Sequence, residues 1–161
     1  MSAVLFEWSD GFNTGVQEID EQHRTLVDLL NQLHAAIRDH KGSQVCREIL
    51  DHLADYTRTH FLLEESLMRV SHYPGFELHK QQHEELIAQV RALQDKLDKG
   101  QAAISFELLH FLQLWLTKHI NESDKRFGQH FLKIDDLKAY SQWSTEVKTT
   151  MEKKKWWWKF W

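Results

Sequence analysis

The chain has 161 residues and a formal net charge of −4 with histidine neutral, which suits one domain with a modest extension and argues against nucleic-acid binding. A single cysteine excludes an internal disulfide and is typical of a reducing compartment. The N-terminus lacks the basic start and apolar run of a signal peptide, and no stretch is apolar enough to span a bilayer, so we expect a cytoplasmic protein. One proline and six glycines favour long helices, whereas eleven histidines are unusual for this length.

The first half of the chain predicts an arm and two helices. Residues 1–19 carry turn signals and are expected to be irregular, and Asp20 is the candidate N-cap of the first helix. That helix should end near Gly42. The second helix is predicted from about residue 44 to about residue 70. The inward stripe of the first helix is Leu26, Val27, Leu30, Leu33 and Ile37, with His23 on the same side. The inward stripe of the second is Val45, Ile49, Leu53, Tyr56, His60, Glu64 and Leu67.

The second half predicts two further bundle helices and an extension. Pro74 separates the second helix from the third, and Gly100 closes the third. The third helix presents Phe76, His79, His83, Leu86, Val90, Leu93 and Leu97 on one face. The fourth presents Leu109, Leu112, Leu116, His119 and Ile120, with Trp115 beside them. A weaker stripe predicts a C-terminal helix through Leu137, Tyr140, Trp143, Val147 and Met151.

These elements predict an all-α protein, since no alternating strand pattern competes with the helical periodicity. Four amphipathic helices joined by short loops pack best as an antiparallel up-down-up-down bundle. We therefore assign residues 1–131 to a four-helix bundle with an N-terminal arm. Residues 132–161 form a C-terminal extension that ends in the Lys/Trp-rich segment KKKWWWKFW.

Polar residues interrupt the apolar stripe of every predicted bundle helix, and all of them are histidines or acids. They are His23 in the first helix, His60 and Glu64 in the second, His79 and His83 in the third, and His119 in the fourth. Residues four apart share one side of a helix. In an antiparallel bundle the start of the first and third helices lies level with the end of the second and fourth, so these side chains should converge at one end. Histidine is the commonest side-chain metal ligand, and the convergence predicts a metal site rather than a structural hydrogen-bond network.

The acid contributed by the fourth helix is left open by spacing alone. Glu122 follows His119 by three residues and would share its face in an ideal helix. Asp124 follows His119 by five residues and would be rotated by about 140°. It would point inward only from a distorted or ending turn.

The whole set of motifs resembles the hemerythrins, and specifically the single-domain bacteriohemerythrins. The matching segments are FEWSDGFNTGVQEIDEQH, HFLLEE, HKQQH and WLTKHINESD, which agree in order, spacing and helix placement over about residues 5 to 130. The resemblance implies a non-haem di-iron centre with an oxo or hydroxo bridge that binds dioxygen reversibly. It also places the last acid five residues after the helix-four histidine, which favours Asp124 and leaves Glu122 and Glu65 at the surface or behind the ligands.

The resemblance implies specific roles for individual residues. One iron would be held by His79, His83 and His119, the other by His23 and His60, and both would be bridged by Glu64 and Asp124. The second iron would then keep a position for dioxygen. An apolar oxygen pocket would be lined by Leu26, Phe61, Trp115, Leu116 and Ile120.

Three functional hypotheses follow. The first is a non-enzymatic protein that stores dioxygen or delivers it to oxygen-requiring enzymes. The alternatives are an oxygen or redox sensor and a di-iron enzyme that handles peroxide or nitric oxide. The mixture of lysine and tryptophan in the tail is also typical of the membrane–water interface and suggests peripheral membrane contact.

Overall fold

The computed structural model describes the backbone of residues 4–134 and 137–158 and the side chains of residues 4–134 and 138–153. Within these ranges the regular structure is helical, which confirms the predicted all-α class. The helices are α1 (Gln17–Arg38), α2 (Ser43–Val70), α3 (Phe76–Asp98), α4 (Phe106–Lys118), a π-helical turn (His119–Asp124), α5 (Lys125–Leu132) and α6 (Leu137–Trp158), preceded by a 3-10 turn (Asp10–Phe12). The tail KKKWWWKFW, for which membrane contact is predicted, spans residues 153–161, and its side chains from residue 154 on lie outside the described part.

Helices α1, α2, α3 and the continuous run from α4 to α5 form the bundle. Short loops join consecutive helices, and apolar side chains from α1 and α2 make most of its core. Leu33 and Leu67 are completely buried. Val45, predicted to face inward, is 40% exposed. In the same turn of α2 the neighbouring Cys46 is buried instead, so the inward face of the helix there is offset by one residue from the prediction.

The first helix begins earlier than its predicted cap. Val16 occupies the N-cap position of α1, so the assignment of Asp20 to that position was wrong. Asp20 lies in the first turn of α1 and its carboxylate accepts hydrogen bonds from the backbone N–H of Thr14 at 2.7 Å and from that residue's hydroxyl at 2.8 Å. The acid therefore fixes the arm to the helix instead of capping the helix itself.

A π-helical turn interrupts the fourth bundle helix between His119 and Asp124. In such a turn the hydrogen bonds join residues five apart rather than four. Residues five apart are therefore brought to the same side of the helix. Asp124 is 1% exposed, whereas Glu122 is at the surface. The distortion decides the choice that spacing left open.

The C-terminal helix α6 packs against α1 and α2, which confirms the predicted helical extension. Trp143, Val147 and Met151 are buried in this contact. The indole N–H of Trp143 donates to the backbone carbonyl oxygen of Leu63 at 2.8 Å. Where the bundle domain ends and the extension begins stays a prediction. Among the described helices none combines the length and apolar character needed to cross a membrane.

Candidate metal centre

Seven buried donors from all four bundle helices meet at one end of the bundle. They form two groups in which every potential ligand atom lies within 4.8 Å of every other. The first group is Glu64, His79, His83, His119 and Asp124. The second group is His23, His60, Glu64 and Asp124. The two carboxylates are common to both groups.

Each shared carboxylate directs one oxygen toward each group of histidines. Asp124 Oδ1 lies 3.0 Å from His79 Nε2 and 3.2 Å from His119 Nε2, whereas Asp124 Oδ2 lies 3.0 Å from His23 Nε2. Glu64 behaves in the same way, with Oε1 2.7 Å from His79 Nε2 and Oε2 3.4 Å from Nε2 of His60. The carboxylates are therefore arranged to bridge two cations.

The spacing of the donor atoms fits metal ions. Two donors about 2.1 Å from one transition-metal ion and at right angles to each other lie about 3.0 Å apart. The imidazole nitrogens His83 Nε2 and His119 Nε2 are 3.0 Å apart, and the carboxylate–imidazole distances range from 2.7 to 3.6 Å. Structural zinc fits less well, because it prefers four ligands and often thiolate.

Several of these donors form no well-aligned hydrogen bond among the described residues, although they lie close to one another. They are both oxygens of Glu64 and of Asp124, together with His23 Nε2 and His79 Nε2. Both carboxyl groups are at most 1% exposed. A buried polar atom without a partner costs about 1–3 kcal/mol, and more when the group is charged. So many buried donor atoms that approach one another without forming aligned hydrogen bonds indicate that a positive ion is the missing partner.

The electrostatics of the metal-free chain support the same conclusion. Burial and the neighbouring charge of Asp124 raise the pKa of Glu64 to about 8. Burial disfavours a charged His79, but the Glu64 carboxylate outweighs it and raises the pKa of His79 to about 10. Burial also lowers the pKa of His60 and of His83 well below the usual range, so these rings are neutral donors. A proton held between the carboxylates and His79 takes the place that a cation would occupy.

Two histidines are oriented from behind by residues outside the predicted ligand set. Gln22 Oε1 lies 2.5 Å from His60 Nδ1, and Glu65 Oε1 lies 3.0 Å from His83 Nδ1. An acceptor at Nδ1 fixes the proton there and leaves Nε2 bare for a metal. Gln22 was missed, although a polar residue directly before a ligand histidine, on the shoulder of an apolar stripe, was the available signal. Glu65 was expected either at the surface or behind the ligands, and it lies behind the ligand His83.

Aromatic rings cover the three-histidine side. Phe61 stacks on His83 with ring centroids 3.7 Å apart and an interplanar angle of 3°. Trp115 stacks on His119 at 4.5 Å and 13°. These large apolar faces hold the imidazoles in place and exclude water from them.

An apolar cavity of about 50 Å³ lies beside the rings. Four of the five predicted pocket residues line it: Leu26, Phe61, Trp115 and Leu116. Ile120 is completely buried but does not line this cavity. The cavity continues away from the donors to Leu50 and Val90, and its volume is ample for a diatomic molecule, since a water needs about 10–15 Å³ on the same measure.

Comparisons with known proteins agree with this geometry. The model of the hemerythrin HHE cation binding domain matches residues 14–131. The chain is 36% identical over 137 residues to the bacteriohemerythrin of Stenotrophomonas maltophilia, and the match covers 85% of this chain and 84% of that protein. It is 34% identical over 126 residues to the bacteriohemerythrin of Methylococcus capsulatus, with 78% and 95% covered. A crystal structure of wild-type hemerythrin superposes with a TM-score of 0.75 at 33% identity, covering 79% of this chain and 98% of that one.

Proposed function

The chain belongs to the hemerythrin family, and from this premise we propose that it binds two iron ions and, through them, dioxygen in a reversible manner. Its role would be to store dioxygen or deliver it to oxygen-requiring enzymes, without catalysing a reaction itself. The observation that carries the proposal is the pair of buried carboxylates, Glu64 and Asp124, each shared between two groups of histidines and each without a well-aligned hydrogen bond among the described residues.

The proposed ligands follow the two groups of donors. His79, His83 and His119 would hold one iron, His23 and His60 the other, and Glu64 and Asp124 both. Two ferrous ions in this centre, linked by an oxo or hydroxo group, would supply the electrons for reversible dioxygen binding. Because the His23/His60 side has one histidine fewer, we assign dioxygen to that side.

The surrounding side chains suit binding rather than turnover. Phe61 and Trp115 cover the imidazoles, and the neighbouring cavity is apolar, so a nonpolar gas can enter while water is disfavoured. The donor set also differs from the carboxylate-rich di-iron bundles, which carry paired Glu-x-x-His motifs. Five histidines with two carboxylates favour a binder over an oxidase.

The test is anaerobic loading with ferrous iron, followed by admission of air. Wild-type chain should retain two iron equivalents, develop the absorption of an oxygenated di-ferric centre, and return to its starting spectrum under vacuum. Glu64→Ala should retain fewer than two equivalents, whereas Glu122→Ala, at the exposed neighbouring acid, should load normally. Retention of fewer than two equivalents by wild type, or unchanged uptake by Glu64→Ala, would refute the proposal.

Peripheral membrane contact through the C-terminal tail is a separate proposal. It rests on composition, because KKKWWWKFW combines cations with amphipathic rings. Such contact would place the protein near membrane-bound oxygen consumers. Full-length chain and a version ending at Met151 should be co-sedimented with vesicles containing anionic lipid. The full-length chain should sediment more, and equal partitioning would exclude the contact.

A further inference from the structure

Helix α6 is held on the bundle by polar contacts as well as apolar ones. Tyr140 and Ser144 donate hydroxyl hydrogen bonds to the carboxylate of Glu18 on α1, at 2.7 and 2.6 Å. Val147 and Met151 follow one and two turns later and are buried. The helix lies beyond residues 14–131, the segment that the family model matches.

A polar pocket of about 200 Å³ lies between α6 and the bundle. Its lining residues come from α1, α2 and α6 and include several charged side chains: Glu18, Glu21, Gln22, Tyr56, Val147, Lys148, Met151 and Glu152. A buried water needs about 10–15 Å³ and two to four polar partners. The pocket meets both requirements for several water molecules.

Gln22 connects this pocket to the metal centre. The residue is 3% exposed and lines the pocket, and its Oε1 contacts His60 Nδ1. An amide oxygen can only accept, so Nδ1 carries the proton and the amide nitrogen of Gln22 is left to find another acceptor. That nitrogen, Nε2, has no partner among the described residues. Buried amide groups are nearly always hydrogen-bonded, which indicates an ordered water.

We propose that the pocket beneath α6 binds water that completes the hydrogen bonding of Gln22, and that it is the route by which water reaches His60. The α6 residue Val147 then forms part of the wall that limits this access. The consequence for a metal rests on the proposed function, since His60 belongs to the side assigned to dioxygen. The hydration of Gln22 does not depend on the proposed function.

The apolar cavity offers a contrast within the same molecule. It shares no lining residue with the polar pocket, and its lining contains no charged side chain. Val90 on α3 lines that cavity and is 8% exposed, compared with 3% for Val147. The same valine-to-alanine substitution can therefore be made in the wall of the polar pocket and in the wall of the apolar cavity.

The experiment measures how fast the Nδ1–H proton of His60 exchanges with water. Full-length, metal-free chain with ¹⁵N-labelled histidine is compared with Val147→Ala, Val147→Leu and Val90→Ala by NMR. Val147→Ala should accelerate the exchange by about tenfold, because opening the wall exposes the proton. Val147→Leu, which fills the pocket, should slow it, and Val90→Ala should leave it near the wild-type rate.

Equal rates for the two alanine variants, or faster exchange in Val90→Ala, would overturn the proposal. If Val147→Ala does not fold, Val147→Leu decides alone: slower exchange than wild type supports the route, and equal or faster exchange refutes it. Because no metal is present, the result is independent of iron loading. Failure here would leave the di-iron proposal intact, and failure of iron uptake would leave the water route intact.

Discussion

Removal of Glu65 tests whether a residue behind a ligand controls metal affinity. Its Oε1 lies 3.0 Å from Nδ1 of His83, the ring nitrogen opposite the one that faces His119. Glu65 is only 5% exposed, so water is poorly placed to replace it. In Glu65→Ala the ring loses its orientation and keeps a buried N–H without a partner. Replacing such an outer partner typically weakens metal binding by about 10–100-fold, or about 1.4–2.8 kcal/mol.

The assay is an anaerobic ferrous titration in competition with a chromogenic chelator at pH 7. Glu65→Ala should weaken the binding of one iron equivalent more than that of the other, because His83 belongs to one donor group only. Glu65→Gln keeps an acceptor but loses the charge, so its loss should lie near the lower end of the range. Glu122→Gln, an exposed acid beside the same site, is the control. Wild-type affinity in Glu65→Ala, or an equal loss in the control, would refute the reasoning.

Three further substitutions test the packing by urea denaturation. Glu18→Gln should lower the free energy of unfolding by about 1–3 kcal/mol at pH 7, because one hydroxyl hydrogen bond becomes neutral and the other hydroxyl meets an amide nitrogen that cannot accept. Burial opposes ionisation of Glu18, but the hydrogen bonds from Ser144 and Tyr140 lower its pKa from 4.5. The difference in unfolding free energy between Glu18→Gln and wild type should therefore persist above pH 4.5 and vanish as the pH falls through the lowered pKa. Glu21→Gln, a substitution of an exposed acid, should show neither effect. Trp143→Phe loses a hydrogen bond to a backbone carbonyl and should cost about 0.5–1.5 kcal/mol. Gly128→Ala places a Cβ 2.5 Å from a backbone oxygen of the arm and should cost about 1–3 kcal/mol, whereas Gly11→Ala, with 3.4 Å to the nearest atom, should be tolerated.

The sequence was sufficient for the bundle because helical periodicity and the scarcity of glycine and proline act locally. Convergence of the histidines also followed from the topology, since antiparallel helices bring His23 and His119 to the same level. Spacing did not predict which acid of the fourth helix faces the centre, because Asp124 points inward only through a π-helical turn. No spacing rule connects Gln22 with His60, which lie on different helices. That contact is decided by side-chain packing, as is the role of Asp20 in holding the arm.

The π-helical turn makes the local chain length critical in two directions. Toward the bundle interior it sets the rotation that points Asp124 at the histidines. Toward the C-terminus it sets the rotation of α5, where Gly128 lies so close to the arm that a methyl group would collide with the backbone of Thr14. Inserting one residue between 120 and 123 would carry everything downstream about 100° further round the helix axis. A single-codon insertion here would thus remove a carboxylate from the centre and unseat the N-terminal arm together, whereas the same insertion in the loop of residues 99–105 should be absorbed. Deleting one residue would have a milder effect, because the aspartate would then follow His119 by four residues and an ordinary α-helix keeps such residues on one side.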